Sequence, residues 1–238
     1  KYAFTDTEKK FFVEKIWHLP EVMQCLSKQN FNLEKKEIPS LKNNFITFGS
    51  FNTGSKFNEN LVCVWSNILK SVKNSKLFLK SSILEDSTFL EFLLNEFKKN
   101  GVNENSLIFK GRTDTRIKHL LTYNEIDITL DTFPYNGNTT SHESILMGVP
   151  VLTKSGSRPH SKIGESLNTN INMKEWITKT ENDYIKKAIE FSNDLKKLSL
   201  VKKKILENIF KSSSFDSYTF AKQFEKEMWK MWKKFQQY

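Results

Sequence analysis

Cysteine is scarce in this chain of 238 residues: Cys25 and Cys63 are the whole complement. Neither sits in a Cys-x-x-Cys pair or beside a Cys/His cluster, so a disulfide framework and a zinc site are both unexpected. Each reads as a buried thiol in apolar surroundings. Long apolar runs are missing too. Nothing approaches the roughly 18–20 unbroken apolar residues of a bilayer span, and residues 1–6 lack the apolar core of a secretory signal, so a soluble, cytoplasmic protein is the expectation. No Gly-x-x-x-x-Gly-Lys-Ser/Thr segment occurs, which removes the Walker-type nucleotide loop. Internal repeats and low-complexity tracts are also absent.

What is abundant is positive charge: 37 Lys and Arg against 27 Asp and Glu give +10. Such a balance suits a polyanionic partner. The runs Lys9-Lys10, Lys35-Lys36 and Lys202-Lys203-Lys204, however, are spread over helical segments rather than interleaved with stacking aromatics, so nucleic acid is not the expected partner. The length allows one generous domain, or one domain with an appendage.

The hydrophobic period supplies the architecture. The opening segment has a strand-like Tyr2-Ala3-Phe4 and an apolar run to Trp17, too little for a core of its own, and residues 30–44 read as a linker. From Phe45 the period alternates between strand and helix. Strand-like runs at 45–51, 77–79, 107–109, 126–130 and 149–152 are separated by helical patterns at 61–72, 89–97, 117–123 and 140–147. Five strands alternating with helices predict an α/β, Rossmann-like, doubly wound parallel sheet. Further helices are expected at 161–167, 182–191, 196–210 and 218–232. The last carries an apolar stripe of Phe220, Phe224, Met228 and Trp232.

Ligands of open parallel sheets bind beyond the carboxyl ends of the strands, which directs attention to the strand-to-helix loops. Asn52-Thr53-Gly54-Ser55-Lys56 follows the first strand, with small residues for close approach and one cation. Taken alone it also fits a surface turn with a solvated lysine. The richest loop is 131–140. Asn136-Gly137 marks a turn, and Thr140 with Glu143 has the spacing of a capping box. A helix starting there would present unpaired N–H groups, beside the hydroxyls of Thr139 and Thr140, to the oxygens of a diphosphate.

Three segments of the chain resemble the SPINDLY and O-GlcNAc transferase family. They are residues 123–140 with Glu143 and Met147-Gly148-Val149-Pro150-Val151; Phe48-Gly49-Ser50-Phe51-Asn52 with Lys56; and Phe109-Lys110-Gly111-Arg112-Thr113 leading to His119. The similarity runs from about residue 5 to residue 232. It implies a GT-B glycosyltransferase, with residues 1–40 as the end of the N-terminal lobe and a linker. Residues 41–238 would be the nucleotide-sugar-binding lobe with its C-terminal helices. The chain would then be part of a longer protein, and binding a nucleotide without transferring sugar is the expectation for this part alone.

By the same resemblance Lys56 and His119 are the catalytic candidates, Lys56 meeting the charge that builds on the departing diphosphate. Asn52, Thr53, Asn138, Thr139 and Thr140 would contact the diphosphate, and Glu143 the ribose. Arg112, Thr113 and Asp114 would border the base. Where the O-GlcNAc transferase branch carries His, this chain has Asn138. His142 reads as structural, and His160 lies in a loop able to approach the sugar. With no Asp-x-Asp motif, neither a metal nor a cofactor is implied. UDP-GlcNAc is the implied donor and a protein Ser or Thr the implied acceptor, the missing N-terminal lobe being the nearest partner. A GDP-fucose donor, a glycan acceptor and a non-catalytic basic binding module are the alternatives.

Overall fold

A computed structural model describes residues 6–27 and 32–237; the strand read at Tyr2-Ala3-Phe4 and the first two residues of the stretch read as a linker lie outside them. Six strands, β1 (Thr47–Ser50), β2 (Lys76–Lys80), β3 (Leu107–Lys110), β4 (Ile128–Leu130), β5 (Val151–Lys154) and β6 (Ile177–Thr178), form one sheet in the order β3-β2-β1-β4-β5-β6. Every pairing is parallel. The predicted doubly wound sheet is therefore present, with one strand more than expected. β6 is only two residues long, too short to show a period of its own.

The middle strands are apolar because both faces are covered: Phe48, Leu77, Leu79, Ile128, Val151 and Leu152 are all fully buried. Trimming Ile128 to Val should cost about 1 kcal/mol, read as a lower urea midpoint at unchanged slope.

Ten α-helices accompany the sheet among the described residues. They are α1 (Asp6–Lys9), α2 (Ser40–Asn43), α3 (Glu59–Ser71), α4 (Ser87–Lys99), α5 (Arg116–Leu121), α6 (Thr139–Leu146), α7 (Ile163–Asn170), α8 (Glu181–Ser192), α9 (Leu195–Asn208) and α10 (Ser217–Phe235). Side-chain caps set many of their starts: Asn58, Asp86, Thr115, Thr180, Asp194 and Asp216 each accept an N–H from the first turn. On α3 the spacing of Leu61, Val64, Trp65 and Ile68 builds one buried face.

The strand order also locates the site. Connections from β1 run outward one way and connections from β4 the other, so right-handed crossovers place α3 and α4 on one face of the sheet and α6 and α7 on the opposite face. Where the order of an open parallel sheet reverses, as between β1 and β4, the loops diverge and leave a crevice. Phe48 pairs with Ile128 and Gly49 with Thr129, so the loops after Ser50 and Leu130 emerge side by side.

The described part of the stretch read as a linker packs against the same α/β unit. Ile38 is buried, Asn124 Nδ2 donates to Glu34 O at 2.9 Å, and Asp127 accepts from Ser40 N at 3.0 Å and Thr47 N at 2.8 Å. Both cysteines are half-buried rather than buried. Cys63 lies on α3 with Asn67 Nδ2 4.0 Å from its sulfur, and Cys25 borders a small polar cavity instead of the core. No described helix is long and apolar enough to cross a membrane. α10 leaves Phe224, Met228, Trp229, Trp232 and Phe235 exposed.

Candidate functional site

The loop after β1 brings Asn52 and Lys56 to the crevice. A turn at Gly54–Lys56 folds the chain back, so the Lys56 ammonium donates to Asn136 O at 2.8 Å and Asn52 Oδ1 at 3.2 Å. It also lies 4.4 Å from the centre of the Tyr135 ring, which stacks on His160. Thr140 Oγ1 donates to the same Asn52 oxygen, at 3.2 Å. One buried amide thus joins the amine of one loop to the hydroxyl of the other. Burial lowers the pKa of Lys56, with the nearby Asp131 opposing.

The loop after β4 is built on Asp131. Its carboxylate is fully buried and accepts from Gly137 N at 2.6 Å, Thr153 Oγ1 at 2.7 Å and Thr132 N at 2.9 Å. Asn136 Nδ2 donates to Thr132 O at 2.9 Å and closes the turn. Gly137 is required by contact: a Cβ there would run into Ser141 Oγ and come within 2.9 Å of Thr140 Oγ1. Burial pushes the Asp131 carboxyl up to about 6, against its hydrogen bonds and Lys56.

α6 then begins at Thr139, and its first intrahelical bonds run from Ser141 N and His142 N to Asn138 O, both at 3.1 Å. The amides of Thr139 and Thr140 precede those bonds and face outward, as at any helix start. The expected capping box is not formed. α6 starts before Thr140, with Asn138 at its cap position and no side-chain cap; Thr140 is engaged with Asn52, and Glu143 with partners from another part of the chain.

Those partners make a network around a buried carboxylate. Glu143 is 2% exposed; it receives His119 Nε2 at 2.8 Å and Tyr123 Oη at 3.1 Å on one oxygen and Arg116 on the other. Burial would raise the Glu143 pKa, but His119 and Arg116 outweigh it and hold the carboxyl below its ordinary value. The carboxylate that the resemblance assigns to the ribose already accepts from three protein donors. His119 has its second nitrogen, Nδ1, 3.0 Å from Lys80 Nζ. Both ring nitrogens of this catalytic candidate are therefore committed to protein groups.

The remaining candidates lie around this centre. Asn138 Oδ1 is held by Gln24, and the two line a cavity of about 60 Å³ with Cys25, Leu26, Thr139 and His142. Thr139 is exposed, and Thr53 Oγ1 is 3.4 Å from Ser55 Oγ. Arg112 and Asp114 are exposed and Thr113 is half-buried. Arg112 N donates to Glu85 at 2.5 Å, and Asp114 pairs with Lys118 at 2.7 Å. His142 is buried, with Nδ1 2.9 Å from Asn138 O, as its structural reading requires. Among the described residues no three His, Cys, Asp or Glu side chains gather as a metal site would need.

Sequence reasoning missed Lys80, Arg116 and Tyr123. Lys80 ends β2, a position that the strand-end rule should have flagged, and Arg116 is one helical turn from His119.

Comparison with known proteins places the chain in a family. The sequence model described as Glycosyl transferase family 41 matches residues 25–224. A barley (Hordeum vulgare) protein named "Probable UDP-N-acetylglucosamine--peptide N-acetylglucosaminyltransferase SPINDLY" is 31% identical over 94% of this chain and 24% of its own length. The chain thus spans about a quarter of the length of the curated relatives it matches. An O-GlcNAc transferase variant from Thermobaculum terrenum superposes with a TM-score of 0.89 at 26% identity, over 98% of this chain and 44% of that one. The Anabaena protein HepE, solved with UDP, shares the fold at a TM-score of 0.54 and 15% identity, over 80% of this chain and 51% of its own.

Proposed function

Since the chain belongs to glycosyl transferase family 41, we propose that its crevice holds the nucleoside diphosphate of a sugar donor. In this reading the donor is UDP-GlcNAc, and the complete protein, in the cytoplasm, transfers GlcNAc to Ser or Thr hydroxyls of proteins. The observation that carries the reading is the shared Asn52 oxygen. It puts the Lys56 ammonium and the Thr140 hydroxyl at the head of α6, where the helix N-terminus favours anions.

The chemistry then follows from charge. An acceptor hydroxyl attacks the anomeric carbon, the bond from that carbon to the β-phosphate oxygen breaks, and negative charge grows on the departing diphosphate. Lys56 and the amides and hydroxyls of Thr139 and Thr140 meet that charge, with Asn52, Thr53 and Asn138 shaping the pocket around it. Arg112, Thr113 and Asp114 border the base, and Glu143 shapes the ribose side together with Arg116. His119 acts by holding Glu143 rather than by moving a proton, since neither ring nitrogen is free. The base that activates the acceptor belongs to the other lobe, so this chain alone binds donor without transferring sugar.

Calorimetric titration of the chain with UDP, GDP and a single-stranded RNA tests the proposal. Saturable UDP binding that UDP-GlcNAc competes away is expected. A preference for GDP keeps the site and reassigns the donor to a GDP-sugar such as GDP-fucose. Steeply salt-dependent RNA binding with no nucleotide binding overturns the reading in favour of a basic binding module. Thr140→Val should weaken UDP binding by about fivefold, near 1 kcal/mol, because one hydroxyl contact is lost while Lys56 keeps Asn52 and Asn136.

A further inference from the structure

Lys80 has no role in the reading above, yet its placement is unusual. It ends β2, is 6% exposed, and sends its ammonium to His119 Nδ1 at 3.0 Å. An ammonium has donors only, so Nδ1 must be the accepting, unprotonated nitrogen. The ring proton then sits on Nε2, which points at Glu143 Oε2 from 2.8 Å. Phe51 and Tyr123 pack around the ring, Tyr123 edge-on at 5.8 Å between centroids. The charged groups around the lysine are Lys110 on the neighbouring strand, Glu85 after β2, and Glu143 beyond the imidazole. Arg116 completes the set on the far side of Glu143.

We propose that Lys80 is a positioning residue: by donating to Nδ1 it holds His119 as the Nε2–H ring that fixes Glu143 in α6, the helix whose start carries Thr139 and Thr140. Without that donor nothing fixes Nδ1 as the acceptor, and the ring is free to move its proton to Nδ1 or to turn. It then presents a lone pair to the carboxylate, which repels it. The ring no longer holds the carboxylate as it does beside Lys80. The functional consequence rests on the diphosphate reading; the lysine-to-histidine link does not.

Long-range proton–nitrogen correlation spectra of the histidine side chains in the ligand-free chain test the link, with His119→Gln used to assign the signals. At neutral pH the unaltered protein should show His119 with a protonated Nε2 and an unprotonated Nδ1. A protonated Nδ1 overturns the proposal without any variant. Lys80→Met should shift the ring proton toward Nδ1, and Lys80→Arg, which also donates, should restore the original pattern. An unchanged His119 spectrum in a folded Lys80→Met protein overturns it as well. For the consequence, Lys80→Met should weaken UDP binding threefold to tenfold, and add nothing further in the His119→Gln background. An additive loss there means that Lys80 does not act through His119. If no variant, and not even the unaltered chain, binds UDP, it is the donor-site reading that fails, and the spectra still decide the role of Lys80.

Discussion

Replacing Lys56 with alanine is expected to weaken UDP binding tenfold to a hundredfold and, in the complete protein, to lower turnover by about 10²–10³. The first figure follows from a charge-assisted contact to phosphate worth roughly 1.5–3 kcal/mol. The second follows from charge that grows as the diphosphate leaves, so that an ammonium in place gains more in the transition state than in the bound state. Stability should change little, since Lys56 is only half-buried and its acceptors, Asn52 Oδ1 and Asn136 O, stay bonded or reach water. Lys56→Met keeps the stem over Tyr135 without the charge and should behave like alanine. Lys56→Arg should recover binding only in part, because a planar guanidinium cannot reproduce the compact geometry. Calorimetry on the chain and single-turnover transfer by the complete protein are the measurements. Unchanged UDP affinity in Lys56→Ala would remove the site from this crevice.

Asp131→Ala should destabilise the fold by about 3 kcal/mol, and Asp131→Asn by much less. Alanine strands Gly137 N, Thr132 N and Thr153 Oγ1 without their acceptor in a buried place, and each costs roughly 1 kcal/mol. Asparagine keeps one oxygen for the loop amides and offers its amide to the threonine. The two variants also differ from the parent in pH dependence. The folded carboxyl titrates at about 6, against roughly 3.9 unfolded. Between those values the folded state binds the extra proton, so the contribution of Asp131 is fully present below about 4 and is lost as pH rises to about 6, by roughly 2–3 kcal/mol. Glu143, held below its ordinary value, runs the other way and loses its contribution as pH falls. Subtracting the Asp131→Asn stability curve from that of the parent isolates the aspartate. A flat difference between pH 4 and 6 would contradict the assignment.

How much of this was legible depended on the range of the interactions. Phe48, Leu77, Ile128 and Val151 announce buried strands because both faces are apolar, and that signal is local. The loops after β1 and β4 were legible for the same reason, as small and hydroxyl residues placed just after such runs. Glu143 was misread as a capping partner because its spacing from Thr140 is a local pattern, whereas its partners, Arg116 and His119, come from α5. Lys80 looked like one lysine among many; only the folded sheet sets it beside a histidine 39 residues away. β6 escaped because two residues carry no period, and Cys25 because a neighbouring Leu26 suggested a core where a polar cavity lies.

In the proposed donor site the amide of Asn52 acts as a shared rest for two donors. Its single carbonyl oxygen accepts from Lys56 and Thr140 at once. A hydroxyl has one proton to give, so a guest that takes it competes with that oxygen, whereas the ammonium, with three, can reach a guest and keep its amide. Docking at the hydroxyl is then an exchange of acceptors. A neutral guest offers nothing better than the amide it evicts and gains little, while a phosphate brings full charge to both donors. On this reading, discrimination between charged and uncharged guests follows from how the two loops meet.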